Sequence, residues 1–99
     1  MGRPASPHSA VRKRIARLPE RPGIYLFRGA RGELLYVGKA VNLRKRVTSY
    51  FRTPSGLSPR VARMVQDIRD VEVRPTTSEA EALLLEAQWI KEHRPRYNV

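Results

Sequence analysis

The side chains best suited to chemistry are two tyrosines, an arginine and a glutamate. Tyr25 and Tyr36 lie in the arms of a predicted hairpin, residues 23–28 and 33–39, joined by a turn over Gly29-Ala30-Arg31-Gly32. With those four residues as the loop, Arg28 faces Glu33, Phe27 faces Leu34 and Tyr25 faces Tyr36, so two phenols share one face of a sheet. A slip of one residue would send them to opposite faces. Arg46 lies three residues after Leu43 and four before Tyr50, on the edge of a helical stripe of Leu43, Val47, Tyr50 and Phe51. Glu86 falls inside the apolar face expected for the last helix, formed by Ala82, Leu83, Ala87, Trp89 and Ile90. A carboxylate there is costly without a cation, hydrogen bonds or a metal. It either pairs with one of the many arginines or offers an oxygen ligand to one hard divalent ion, Mg²⁺ or Mn²⁺. One carboxylate beside a basic sheet with two tyrosines favours the metal.

The bulk composition agrees with a phosphate-bearing partner. Twenty Lys and Arg face 9 Asp and Glu, a formal net charge of +11, which points to nucleic acid first and an anionic membrane surface second. From Leu34 to Gln66 there is no acidic residue. That stretch holds Arg44, Lys45, Arg52, Arg60 and Arg63, the cations expected to meet DNA. No cysteine is present, and the 2 histidines cannot make a zinc finger. No apolar run is long enough to span a membrane. A cytoplasmic location and no organic cofactor are expected.

With 99 residues the chain makes one domain. Residues 1–14 are expected to be a disordered basic tail and 15–99 the folded unit, although Val11, Ile15 and Leu18 recur at helical spacing and allow a short helix before Pro19. Asn42 can cap a helix reaching Phe51, Ser58-Pro59 opens another, and residues 71–74 alternate as a third strand. Ser78 and Glu81 form a capping box for a helix ending near His93. The fold class is therefore α+β, a small three-stranded antiparallel sheet flanked by helices. The closing segment, residues 93–99, suits base stacking or phosphate contact, or packing back on the sheet.

Gly23-Ile24-Tyr25 followed by Tyr36-Val37-Gly38 resembles the paired motif of the GIY-YIG endonucleases, with Val in place of Ile in the second half. Tyr36 to Ala40, Asn42 to Val47, Ser49 to Phe51, Glu79 to Glu86 and Ile90 to Val99 resemble the UvrC-type branch of that family. The resemblance covers roughly residues 18–99 and implies the GIY-YIG fold. It implies catalytic positions at Tyr25, Tyr36, Lys39, Arg46, Tyr50 and Asn98, and a metal ligand at Glu86. Gln88 departs from the family, which often has Asn there. The implied activity is metal-dependent hydrolysis of a DNA phosphodiester, the 3′ incision of nucleotide excision repair within the SOS response, with a UvrB-type helicase as partner. Two other readings stand beside it: a stand-alone structure-specific nuclease, and a non-catalytic nucleic-acid-binding module. Which phenol acts as base is open, and a phenol base needs its pKa lowered from about 10.

Overall fold

The computed structural model describes residues 8–52 and 56–98. The chain order is α1 (Ser9–Ile15), β1 (Gly23–Arg28), β2 (Leu34–Ala40), α2 (Leu43–Arg52), α3 (Pro59–Asp67), β3 (Asp70–Pro75) and α4 (Glu79–His93). The three strands make one antiparallel sheet in the order β2-β1-β3. This is the expected α+β architecture. Among the described residues no helix is long and apolar enough to cross a membrane.

The hairpin register differs from expectation by two residues. The Gly29 N–H donates to the Glu33 carbonyl at 2.9 Å, which leaves a three-residue loop. Gly32 closes it with φ 77°, a conformation glycine adopts without strain. A bulge then follows: Arg28 pairs with Leu34, but Phe27 pairs with Tyr36 and Tyr25 with Gly38. The shorter loop shifts the pairing by one residue and the bulge by a second. Two shifts restore the side-chain alternation, so Tyr25 and Tyr36 share a face as diagonal neighbours and not as a direct pair.

Alternate residues of β1 build two different cores. Tyr25 and Phe27 pack with Leu43, Val47, Tyr50 and Phe51 of α2, Met64 of α3, and Val11 and Ile15 of α1. Ile24 and Leu26, with Val37 of β2, pack against Leu85, Trp89 and Ile90 of α4. The boundary expected at residue 15 falls at the end of α1, whose Val11 and Ile15 are buried. Apolar spacing at Val11, Ile15 and Leu18 carries this helix into the core. The rest of the expected tail, residues 1–7, lies outside the described residues.

Helix α4 is rotated from its expected orientation. Leu83 is 51% exposed and Leu84 73%, while Ala82 is buried and Leu85, Glu86, Trp89 and Ile90 are half-buried. The Leu83-Leu84-Leu85 run makes the helix apolar around most of its circumference, so periodicity alone does not select the stripe that packs. Glu86 nonetheless stays on the sheet-facing side. Ser78 caps α4 through the Glu81 N–H at 3.1 Å. The Glu81 carboxylate accepts from the Thr77 N–H and hydroxyl, and does not close the box on Ser78. Arg94, in the left-handed region at φ 42°, ends the helix. The chain then turns back along the free edge of β2, where the Tyr97 N–H donates to the Leu35 carbonyl at 2.9 Å.

Candidate active site

Tyr25 is 1% exposed, and its ring lies across Gly38. A Cβ at Gly38 would sit 2.2 Å from the Tyr25 Cζ, so the glycine of the second arm exists to admit this ring. The Tyr25 hydroxyl is 2.8 Å from the Tyr50 hydroxyl, brought in by the last turn of α2. Arg46, one turn earlier on α2, donates from Nε to the same Tyr25 oxygen at 3.4 Å. Its guanidinium carbon stands 5.3 Å from the centre of the Tyr50 ring. Tyr36 completes the cluster with its ring 6.1 Å from that of Tyr25. Tyr25, Tyr36, Arg46 and Tyr50 are thus assembled on one face.

Both strand tyrosines hold their protons more tightly than a free phenol. Burial is the main cause for Tyr25, reinforced by Tyr50 and opposed by the Arg46 hydrogen bond. Burial also leads for Tyr36, followed by Tyr50 and the Glu86 carboxylate, with Arg46 acting against them. Desolvation thus outweighs the lowering by Arg46 at both phenols. Tyr36 is half-buried and the more accessible of the two.

Glu86 approaches from the other side of the sheet. Helix α4 packs on the Ile24, Leu26 and Val37 face, opposite the phenols. The Glu86 carboxylate nonetheless acts electrostatically on Tyr36 and helps to hold its proton. Among the described residues it has no hydrogen-bond or ion-pair partner, so the arginine pairing considered for it is not found there. No group of three or more His, Cys, Asp or Glu gathers among the described residues. A lone half-buried carboxylate fits a hard divalent ion that keeps water and phosphate oxygens as its other ligands.

Lys39 pairs with Ile24, which directs it away from the phenol face. It is exposed and borders both a groove shared with Lys45, Arg46 and Ser49 and a cavity of about 350 Å³ formed with Val41, Glu79 and Leu83. Asn98 does not enter the cluster. Its side chain accepts from the Val37 N–H and donates to the Val37 carbonyl, both at 2.9 Å, acting as a short extra strand on the β2 edge. Asn98 thereby ties the C-terminal segment to the strand that carries Tyr36.

The expected DNA-binding cations divide. Lys45 and Arg52 are exposed. Arg44 is tied down, donating to the Leu18 carbonyl at 2.7 Å and lying 4.0 Å from Glu20. Its guanidinium closes the chain entering β1 onto α2, so it is held more firmly than a mobile surface charge. Arg63 pairs with Asp67 at 3.7 Å. Arg60 lies on the wall of the cleft beside Tyr36 and Tyr50. Two contacts depended on tertiary structure: the slot Gly38 makes for the Tyr25 ring follows from the true register, and Tyr97, in the closing segment expected to stack, contact phosphate or pack on the sheet, packs along β2.

Comparison with known proteins matches this geometry to one family. The model of the UvrC-like GIY-YIG domain matches residues 21–99. UvrABC system protein C of Desulforudis audaxviator is 58% identical over 87 residues, covering 88% of this chain and 14% of the relative. The same-named protein of Dehalococcoides mccartyi is 50% identical over 93 residues, covering 94% and 15%. The chain thus spans about one seventh of these curated relatives. Among solved structures, the N-terminal GIY-YIG endonuclease domain of UvrC from Thermotoga maritima bound to magnesium superposes with a TM-score of 0.81 at 37% identity, covering 92% of this chain and 98% of that one. A point mutant of that domain bound to its catalytic divalent cation gives the same TM-score at 36% identity. From its sequence match, its sheet order and the cluster at the β2 edge, this chain belongs to the UvrC-like GIY-YIG domain family.

Proposed function

We propose that the chain is a metal-dependent endonuclease domain that hydrolyses a DNA phosphodiester, and that it makes the 3′ incision of nucleotide excision repair. One observation carries this reading: a half-buried phenol, Tyr36, stands between a guanidinium-bound phenol cluster and a carboxylate with no protein partner among the described residues. A single Mg²⁺ or Mn²⁺ held by Glu86 would polarise the phosphate and stabilise the leaving 3′ oxygen.

The protein's own groups do the rest. Tyr25 is enclosed and its hydroxyl is already engaged by Tyr50 and Arg46, so it holds the cluster together. Tyr36 is the phenol that reaches water, accepts a hydrogen bond from it and orients it. Its raised pKa means that removing the water proton requires positive charge nearby, part of which Arg46 supplies. Arg46 also offers the planar fork that fits a phosphate. Lys39 and Lys45, in the groove beside it, steer and hold the strand. The names of the relatives place them in the UvrABC system, which supports a UvrB-type partner that delivers the domain to damaged DNA.

Nicking of plain and damaged duplex, with and without divalent metal, tests the assignment. Metal-dependent nicking that Glu86→Gln abolishes is the expected result. Salt-sensitive binding with no nicking under any condition would replace the enzyme by a binding module.

A further inference from the structure

The cleft beside Tyr36 has a second wall. Tyr36 and Tyr50 form one side, and Arg60, Val61 and Met64 of α3 with Tyr97 form the other, enclosing about 260 Å³. Arg60 is fixed on that wall. Its guanidinium carbon is 5.1 Å from the centre of the Tyr97 ring, and that of Arg96 is 5.4 Å from the same ring. Arg60 Nη2 donates to the Arg96 carbonyl at 3.2 Å. The ring is anchored at both ends. Its hydroxyl donates to Asp67 of α3 at 3.3 Å, and its backbone N–H donates to Leu35, the residue before Tyr36. Asp67, which accepts from the Tyr97 hydroxyl, also pairs with Arg63, so the anchor of the ring lies at the foot of the same helix.

Such an arrangement suits an anion. A guanidinium already ordered on an aromatic ring loses less rotamer freedom on binding than one on an open surface. It presents parallel N–H donors to a phosphate. The register from Tyr97 through Leu35 to Tyr36 fixes its position relative to the phenol. We propose that Arg60, carried on the Tyr97 ring, is a phosphate-binding residue of the cleft. It takes a phosphate of the cut strand next to the scissile one, opposite Arg46. The proposal rests on the endonuclease reading and adds to it a second guanidinium that sets where the strand lies.

Single methylphosphonate substitutions along the cut strand test it, because each removes one phosphate charge. Arg60→Ala lowers kcat/KM for nicking by about tenfold and reduces the salt dependence of binding by about one phosphate contact. One methylphosphonate beside the cut slows the unaltered domain by a similar factor and has no further effect in Arg60→Ala. Arg60→Lys, which keeps charge without the fork, recovers part of the loss and carries the test if the alanine variant melts early. Wild-type rates in Arg60→Ala, or losses that multiply at every methylphosphonate position, overturn the phosphate assignment and leave the endonuclease intact. Absence of nicking by the unaltered domain overturns both.

Discussion

The two faces of the sheet are made from alternate residues of the same strands, yet they do different work. One carries Ile24, Leu26 and Val37 against Leu85, Trp89 and Ile90, a mainly aliphatic seam closed by one long helix. The other carries Tyr25, Phe27 and Tyr36 among helices α1 to α3, and its aromatic rings bring hydroxyls into the core. Aliphatic packing needs only volume and shape. Phenols inside a core need partners for their oxygens, and here the partners are each other and Arg46. The aliphatic face thus serves as a mount and the aromatic face as the instrument. The metal-ligand candidate sits on the mount's helix and acts electrostatically on Tyr36 of the instrument.

Substitutions in each region should separate these roles, and the largest effect is expected at Glu86. Glu86→Gln should lower metal-dependent nicking by at least about a hundredfold. It should leave the melting temperature nearly unchanged, since the carboxylate has no hydrogen bond or ion pair among the described residues to lose. A variant that still nicks with metal would return Glu86 to the aliphatic seam as a mere surface charge. Gly38→Ala strikes the aromatic face, where the new methyl would meet the Tyr25 ring at 2.2 Å. Urea unfolding should report a loss of about 1–3 kcal/mol, with activity falling as Tyr25 is displaced.

The edge between the faces is sharpened by Asn98→Ala. That change strips both side-chain bonds from the Val37 backbone and should cost about 1–2 kcal/mol. Hydrogen exchange should rise first at Val37 and at its neighbour Tyr36. Slow exchange there would mean that β2 holds its place without the Asn98 side chain. The smallest effect is expected from pH. Tyr25 has its folded pKa raised above the ordinary 10.0, so the unfolded chain loses its phenolic proton first. The stabilisation is complete below pH 10 and declines as pH rises beyond it. Tyr25→Phe should flatten that alkaline decline at a cost of about 1 kcal/mol for the lost Tyr50 hydrogen bond.

Much of this was legible from residue types alone. The capping residues Asn42, Ser58 and Ser78 accept the hydrogen bonds their chemistry predicts. Tyr25, Tyr36, Arg46 and Tyr50 converge as the motifs implied. Asn98 and Arg44 read differently because their partners, the Val37 backbone and the Leu18 carbonyl, lie far away in sequence. Spacing on one element carries no information about a bond to another. Helix α4 turned because an apolar residue at nearly every position of its middle leaves rotation to the surface it meets.

The sequence by itself determined the elements, their order and the inventory of the site, because propensity, capping and turn chemistry act over a few residues. Only the tertiary structure decided the register, the edge and the protonation. A shorter loop and the bulge that follows it together moved Tyr25 from Tyr36 to Gly38, which gave the buried ring its slot. The packing of α4 brought a carboxylate on one face within electrostatic reach of a phenol on the other. Burial, which belongs to the whole fold, outweighed Arg46 and left both strand phenols holding their protons more tightly.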